Sequence, residues 1–335
     1  MRRPRLKRLL LAAAGTMLLP LLGGCSAPIA DRVVTPGGHA ILNLFLLELA
    51  IAAFILAVVV TILVISIVRS RRLPPDAEVP QTTGNRKVEV LYTAVPLAIE
   101  ITLLVLSLMV MGVVRSDPPA TNTLTVRVVG HQWYWEYIYP NQHVTTDGEL
   151  HIPVNTPLHF EVQSADVIHS FWVPQFGWKI DAIPTKTNIM DMTVTQTGTF
   201  QGFCVEFCGN QHAWMLTTVV AESPSQFQAW VKDNAAAARP PASAQAARGE
   251  QVFMSSTCVA CHTIAGTQAT GTVGPNLTHF GSRKQLGSGV LDNTPANLAR
   301  WITGPQQVKP GVHMPDYKFS SADLQALVAY LEGLK

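Results

Sequence analysis

Residues Leu124–Tyr139 read LTVRVVGHQWYWEYIY, two runs in which apolar and polar side chains tend to alternate. Such alternation is typical of a β-strand with one buried face. Residues such as Asn141 and the Asp147–Gly148 pair punctuate the runs that come next. Those runs are LHIPV, LHFEVQ, FWVP, NIMDMTVT and FQGFCVEF. Short strands at this spacing predict an all-β sandwich or barrel.

The last run leads into CVEFCGNQHAWM, which extends from Cys204 to Met215. It combines two thiolates, an imidazole and a thioether, and these soft ligands favour copper. Two neighbouring thiolates that can each bridge would hold a pair of copper ions. His169, between two earlier strands, can join them from another loop of the sandwich. The alternative is a Cys204–Cys208 disulfide, which leaves the spacing of His212 unexplained.

A second metal pattern lies further on, in Cys258-Val-Ala-Cys261-His262. C-x-x-C-H is the attachment signature of a c-type haem, with both cysteines bonded covalently and the histidine as proximal ligand. A redox dithiol is the alternative, but it needs no histidine. The chain has five cysteines, and the two metal patterns together with Cys25 account for all of them.

The N-terminus has the pattern of a secretory signal: basic residues up to Arg8 and then an apolar run, Leu9–Leu22. The run ends in Leu-Gly-Gly-Cys25, which resembles a bacterial lipobox. This pattern predicts a signal peptide over residues 1–24 and lipidation of Cys25. An ordinary signal peptide or an uncleaved short anchor would also fit the pattern.

Two longer apolar segments, residues 41–68 and 91–114, are each long enough to cross a bilayer as a helix. The short loop between them carries four arginines and a lysine, which predicts that the loop is cytoplasmic. Everything after Arg115 is then exported. Glu48 and Glu100 lie within the spans, and each faces either a partner subunit or its own hairpin.

The length of 335 residues suits two or three domains, and a net charge of +2 does not favour nucleic acid. Residues 232–245 are rich in Ala and Pro, which is typical of a tether. The predicted divisions are an N-terminal segment with the hairpin (25–118), a β domain (119–231), the linker (232–245) and a helical haem domain (246–335).

The second axial ligand of the haem is predicted to be Met314, in His313-Met314-Pro315. Methionine opposite histidine raises the haem potential into the electron-transfer range. Three more side chains compete for this position. Met254 lies too close to the attachment motif to reach the opposite face easily, whereas His279 and His313 would each supply an imidazole instead of a thioether.

Residues 35–230 resemble subunit II of cytochrome c oxidase, on GHQWYWEYIY, FWVPQFGWKIDAIP, His169 and the Cys204–Met215 motif. Residues 246–335 resemble a class I cytochrome c, including the Gly274-Pro275-Asn276-Leu277 loop. The resemblance implies a two-helix hairpin, then a cupredoxin-like Greek-key sandwich, then an all-α cytochrome c domain.

Carried over residue by residue, the resemblance implies a binuclear copper centre, CuA. Cys204 and Cys208 would bridge the two coppers, His169 and His212 would each cap one, and Met215 would be a weak axial ligand. The backbone carbonyl of Glu206 would complete the ligand set, and its side chain would reach a Mg or Mn ion at the boundary with subunit I.

Two further residues match family positions. Trp133 corresponds to the tryptophan that receives electrons, although core packing is the alternative for this aromatic cluster. Glu89 corresponds to the mouth of a proton pathway into subunit I, and the alternative is a carboxylate that is stabilised by the helix dipole.

The resemblance implies a subunit that passes electrons from haem c through CuA to the oxygen-reducing centre of subunit I, coupled to proton translocation. Subunit III, a cytochrome c or cytochrome bc1-type donor and the bacterial inner membrane are the implied surroundings. The chain could instead be the CuA subunit of a nitric oxide reductase, or a free-standing membrane electron carrier or copper-delivery protein. A quinol oxidase subunit is disfavoured because it lacks the copper ligands.

Overall fold

The computed structural model describes residues 33–74, 77–78, 81, 84–115 and 122–335. The predicted signal peptide and the predicted lipidation site Cys25 lie outside the described residues.

Near the start of the described residues are two long helices, α1 Pro36–Ser70 and α2 Arg86–Arg115. Both are long and apolar enough to cross a membrane. Thr35 caps α1 by accepting a hydrogen bond from the Gly38 amide at 3.0 Å. The helices extend past the apolar spans 41–68 and 91–114 at both ends, because polar and small flanking residues continue the helical hydrogen bonding.

The segment before α1 is joined to the domain that follows. The amide of Val34 donates to the Gln175 carbonyl at 2.9 Å, and the Thr195 amide donates to the Val34 carbonyl at 2.8 Å. The hydroxyl of Thr35 donates to the Phe176 carbonyl at 2.7 Å. These bonds hold the start of the hairpin directly against the sandwich.

Residues 122–222 form the β-sandwich domain, which is built from two five-stranded sheets. One sheet has the order β3-β2-β1-β5-β8 and the other β4-β10-β9-β6-β7. The strands are β1 Leu124–His131, β2 Tyr134–Tyr139, β3 Val144–Asp147, β4 Glu149–Pro153, β5 Pro157–Ser164, β6 His169–Trp172, β7 Lys179–Ala182, β8 Asn188–Thr193, β9 Gly198–Cys204 and β10 Leu216–Glu222.

The alternation in WYWEYIY decides which face of β2 is buried. Trp135, Tyr137 and Tyr139 are fully buried, while their neighbours along the strand are partly exposed. The rings of Trp135 and Tyr137 pack on Phe171 of the opposing sheet, within one continuous apolar core. The prediction of an all-β sandwich is therefore confirmed.

Helix α3 Pro224–Asn234 follows the sandwich and packs against it through the buried Phe227. It continues beyond residue 231, so the connecting segment of the structure is residues 235–243 and not 232–245. The capping Ser243 then starts the next helix at Ala244.

Residues 244–335 form the helical domain. A Cβ at Gly249 on the first helix would overlap the backbone of Ala326 on the last, so these helices cross in close contact. The helices and strands of the helical domain are α4 Ala244–Ser255, α5 Cys258–Cys261, β11 Gln285–Leu286, β12 Leu291–Asp292, α6 Pro295–Thr303, α7 Pro305–Val308 and α8 Ser321–Gly333.

Candidate metal centres

The sandwich brings the histidine and the cysteine motif to one end of the second sheet. Strand β6 begins at His169 and β9 ends at Cys204, and the two strands pair with Phe171 opposite Cys204. Residues two apart in a strand point to the same side, so His169 lies beside Cys204. The loop after β9 supplies Cys208, and a single 3-10 turn supplies His212.

The ligand atoms of these residues lie close together. Cys204 Sγ is 3.7 Å from Cys208 Sγ and 3.9 Å from His169 Nδ1. Cys208 Sγ is 3.6 Å from His212 Nδ1 and 3.9 Å from Met215 Sδ. Each cysteine sulfur therefore lies beside one histidine nitrogen. The two cysteine–histidine pairs adjoin each other through the two sulfurs.

The sulfur–sulfur separation of 3.7 Å excludes a disulfide, since that bond is about 2.05 Å long. Cys204 and Cys208 are free thiols. The hydrogen bond between them lowers the pKa of Cys204 to about 3 and raises the pKa of Cys208. Cys204 is thus readily deprotonated, as binding of a soft cation requires.

The donor set and its surroundings fit copper. Two thiolates, two imidazoles and a thioether are soft or intermediate ligands. Cys204, Cys208 and Met215 are all buried, and His169 is completely buried. The carbonyl oxygen of Glu206 lies 3.3 Å from Cys204 Sγ, at the edge of the cluster, and the Glu206 side chain is exposed.

Two residues that were not predicted hold His169 in place. Asp166 Oδ1 lies 2.8 Å from His169 Nε2, which leaves Nδ1 directed at Cys204. Metal-binding histidines commonly use a carboxylate in this way to fix the ring. Gly130 matters because a Cβ there would lie 2.7 Å from the His169 ring. The position of Asp166, three residues before the histidine, is the sequence feature that could have indicated its role.

Trp133 lies in the turn between β1 and β2 and is buried. Its indole Nε1 donates to the carbonyl of Cys208 at 2.9 Å, and Gln132 Nε2 donates to the same oxygen at 2.8 Å. The Trp133 ring also meets the ring of His313 in the helical domain, with ring centroids 5.0 Å apart. Trp133 therefore lies between the two domains.

A cavity between the helical domain and the sandwich is lined by Cys258, Cys261, His262 and Met314 on one side and by sandwich residues that include Trp133 on the other. His262 Nδ1 lies 2.7 Å from the carbonyl of Pro275. An Nδ1–H donated to this carbonyl leaves Nε2 free as a ligand. Burial lowers the pKa of His262, which keeps the imidazole neutral as metal binding requires.

A haem fits this cavity on two further observations. Arg283 lines it, and the buried Nε of Arg283 has no hydrogen-bond partner among the described residues. A haem propionate would supply an acceptor for that N–H. The Gly274 backbone lies against the His262 ring, where a Cβ would come within 2.8 Å.

The cavity also discriminates among the predicted axial ligands. Met314 and His313 line it, whereas Met254 and His279 are not among the described residues that do. His313 directs its ring at Trp133, which leaves Met314 as the best placed thioether.

The carboxylates of the helical hairpin are less constrained. Glu89 lies in the first turn of α2, where the helix dipole stabilises a negative charge. Glu48 is partly exposed and Glu100 is exposed in the isolated chain. The roles predicted for Glu48, Glu89 and Glu100 remain predictions.

Comparisons with known proteins match both of the domains that carry these sites. Residues 141–223 match the family described as cytochrome c oxidase subunit II, periplasmic domain, and residues 246–335 match cytochrome c. Cytochrome c oxidase subunit 2 of Alkalihalophilus pseudofirmus is 36% identical over 306 residues, which cover 90% of this chain and 89% of that protein. The chain belongs to the cytochrome c oxidase subunit 2 family.

Another relative in this subunit 2 family has a similar extent. Cytochrome c oxidase subunit 2 of Bacillus subtilis is 30% identical over 341 residues, which cover 95% of this chain and 96% of the relative. The crystal structure of the periplasmic domain of subunit II from Bradyrhizobium japonicum is 36% identical, with a TM-score of 0.33, and the match covers 35% of this chain and 95% of that one. The relatives confirm the predicted family, and the two helices, the β-sandwich and the helical domain of the structure itself agree with the predicted fold class.

Proposed function

We propose that this chain is the subunit through which electrons enter a terminal cytochrome c oxidase. The single observation that carries this proposal is the joining of His169, Cys204, Cys208, His212 and Met215 into one cluster. Every one of these donors comes from the protein, which suits a site that accepts and releases electrons without binding a substrate.

The cluster residues would hold a CuA pair, which supplies a one-electron redox couple when bound. Cys204 and Cys208 would bridge, His169 and His212 would cap, and Met215 and the Glu206 carbonyl would act as weak ligands. Burial excludes water, and Asp166 keeps the His169 ring from turning. Fixed ligands limit the rearrangement that accompanies a change of charge.

The helical domain would hold a haem c, bonded to Cys258 and Cys261 with His262 and Met314 as axial ligands. His/Met ligation supplies a high-potential electron carrier. The backbone of Met314 is held in position, since its carbonyl accepts from Gln306 Nε2 at 2.8 Å.

Contacts between the two sites form a continuous route. Met314 is bonded to His313, the His313 ring meets Trp133, and Trp133 donates to the backbone of Cys208. We therefore assign Trp133 as the residue that receives electrons on the sandwich side. A cytochrome c or a cytochrome bc1-type complex would reduce haem c.

Subunit I would receive the electrons and reduce oxygen, with proton translocation across the bacterial cell membrane and subunit III beside it. The two apolar helices are the membrane spans of this anchored chain, and both redox domains face outward. The exposed side chain of Glu206 would reach a Mg or Mn ion at the boundary with subunit I, since carboxylates are suitable hard ligands. Glu89 would lie at the mouth of a proton pathway.

Replacement of one bridging thiol tests the proposal. In the purified oxidase, Cys204→Ser should leave reduction of haem c intact and abolish both the copper signal and oxygen consumption. Met215→Leu should alter the copper spectrum, while Met192→Leu, a buried methionine elsewhere in the sandwich, should not. Unchanged oxygen consumption in Cys204→Ser would contradict the assignment, as would turnover with nitric oxide alone or the absence of a copurified large haem-bearing subunit.

A further inference from the structure

The helical domain contacts the β-sandwich domain through a completely buried lysine. Lys309, just after α7, is 1% exposed. Its Nζ donates to the Trp133 carbonyl of the sandwich at 2.9 Å and to the Gly287 carbonyl of its own domain at 3.3 Å. Lysine is almost never fully buried unless paired, and no described carboxylate forms an ion pair with it.

This burial costs stability, because a desolvated ammonium group is unfavourable. Burial lowers the pKa of Lys309 to about 7, which is the sign of that penalty. The presence of a lysine here therefore needs another explanation, and the location of its hydrogen-bond partner in the other domain provides one.

Two carboxylates form a second part of the same interface. Asp147, at the end of β3, accepts the amide of Asn276 at 2.9 Å. Glu149, at the start of β4, accepts the amides of Lys284 at 2.6 Å and Gln285 at 3.2 Å. Both carboxylates belong to the sandwich and all three amides to the helical domain.

A third part lies at the start of β10. The Leu216 amide donates to the Ser288 carbonyl at 3.2 Å, and the Ser288 hydroxyl donates to the Leu216 carbonyl at 2.9 Å. Polar contacts at three separate segments of the sandwich restrain both sliding and rotation of the helical domain. The connecting segment 235–243 therefore does not act as a free tether.

Lys309 differs from the other contacts because it adjoins both redox sites. Its bond reaches the backbone of Trp133, and the segment that it begins runs through His313 to Met314. In that segment the carbonyl of Pro310 accepts a hydrogen bond from Gln211 of the sandwich. Fixing Lys309 thus fixes where the His313 ring lies against Trp133.

We propose that Lys309 is a positioning residue that holds the haem-bearing domain in one docked orientation, with segment 309–314 against Trp133. The inference rests on the proposed roles of Trp133 and Met314. Electron tunnelling weakens steeply with separation, so a docked pair transfers electrons at a rate that is set by this contact rather than by domain diffusion.

The test compares Lys309→Met with Lys318→Met, a more exposed lysine of the same domain, in the purified oxidase. After photoinduced reduction of haem c, electron transfer to CuA should be at least about 10-fold slower in Lys309→Met than in the wild type. A misplacement of ~1 Å can cost 100-fold where geometry governs a rate. The haem c absorption and the copper spectrum should be unchanged. Lys309→Gln, which keeps a donor, should recover part of the rate.

Two readouts besides transfer rate address the docking itself. Amide hydrogen exchange over residues 284–288 should be slow in the wild type and faster in Lys309→Met. Adding glycerol should leave the wild-type transfer rate unchanged and should slow it in Lys309→Met, where domain diffusion takes part.

An unchanged transfer rate in Lys309→Met would overturn the inference, as would fast exchange of residues 284–288 or a viscosity-dependent rate in the wild type. If Lys309→Met loses the haem c and copper spectra, the transfer rate in Lys309→Gln and the amide hydrogen exchange of the wild type decide the question. If haem c never reduces CuA in the wild type, the proposed function fails, irrespective of Lys309.

Discussion

The indole N–H of Trp133 donates to the backbone carbonyl of Cys208 at 2.9 Å. The tryptophan is therefore hydrogen-bonded to the main chain of a copper-ligand candidate and does not merely pack near it. Gln132 donates to the same oxygen, so two adjacent residues of one turn fix the position of the cysteine loop. The metal cluster and the surface that faces the helical domain are thus parts of one rigid unit.

Replacing Trp133 with Phe should slow electron transfer from haem c to CuA by about 10-fold, which corresponds to ~1.4 kcal/mol of activation free energy. Phenylalanine keeps a ring near His313 and removes the N–H donor. Flash photolysis of the oxidase measures this rate. Trp230→Phe, on α3 and away from both sites, is the control and should transfer electrons at the wild-type rate.

Asp166→Ala should weaken copper binding by about 10- to 100-fold, the usual cost of losing a carboxylate that orients a metal-binding histidine. The His169 ring would then be free to turn away from Cys204. Competition with a copper chelator, followed by the copper absorption, measures the affinity. The control is Asp181→Ala, at an exposed position in the sheet that contains His169, and it should retain full copper affinity. Full copper affinity in Asp166→Ala as well would refute the role of Asp166.

Met314→His should lower the reduction potential of haem c, because bis-histidine ligation lacks the thioether that raises it. A spectroelectrochemical titration gives the potential. Met254→Leu should leave both potential and absorption as in the wild type. A shift that is confined to Met254→Leu would instead identify Met254 as the ligand.

The contribution of His151 to the free energy of unfolding should fall as pH rises. Burial lowers the pKa of His151, but the hydrogen bond to Glu222 and the nearby carboxylate of Glu149 outweigh it and raise the pKa above its usual 6.5. The stabilisation is therefore complete below pH 6.5 and is lost as pH rises through the higher, folded-state value. Thermal unfolding at a series of pH values should show a weaker dependence in His151→Asn, whereas the exposed His143→Asn should behave as the wild type.

Features that depend on local spacing could be predicted from the sequence. Alternation in Leu124–Tyr139 decided the sandwich, because burial of every second residue is a property of a single strand. The metal motifs are equally local, since Cys204–Met215 and Cys258–His262 each place their donors within a few residues.

Features that depend on contacts between domains could not be predicted in this way. Lys309 and Asp147 resemble ordinary surface charges in the sequence, but each is buried and forms hydrogen bonds across the two domains. The linker shows a smaller version of the same limit. Its composition indicated a tether from residue 232, but packing of Phe227 on the sandwich extends α3 to Asn234.

The short segment 235–243 keeps the proposed donor and acceptor on one polypeptide. A separate donor must first find its acceptor, and the rate of such an encounter between charged surfaces depends on ionic strength. Here that dependence can apply only to the arrival of an electron at the helical domain from outside. The following step has no encounter, so salt should alter how quickly the chain is loaded with electrons and leave internal transfer unaffected.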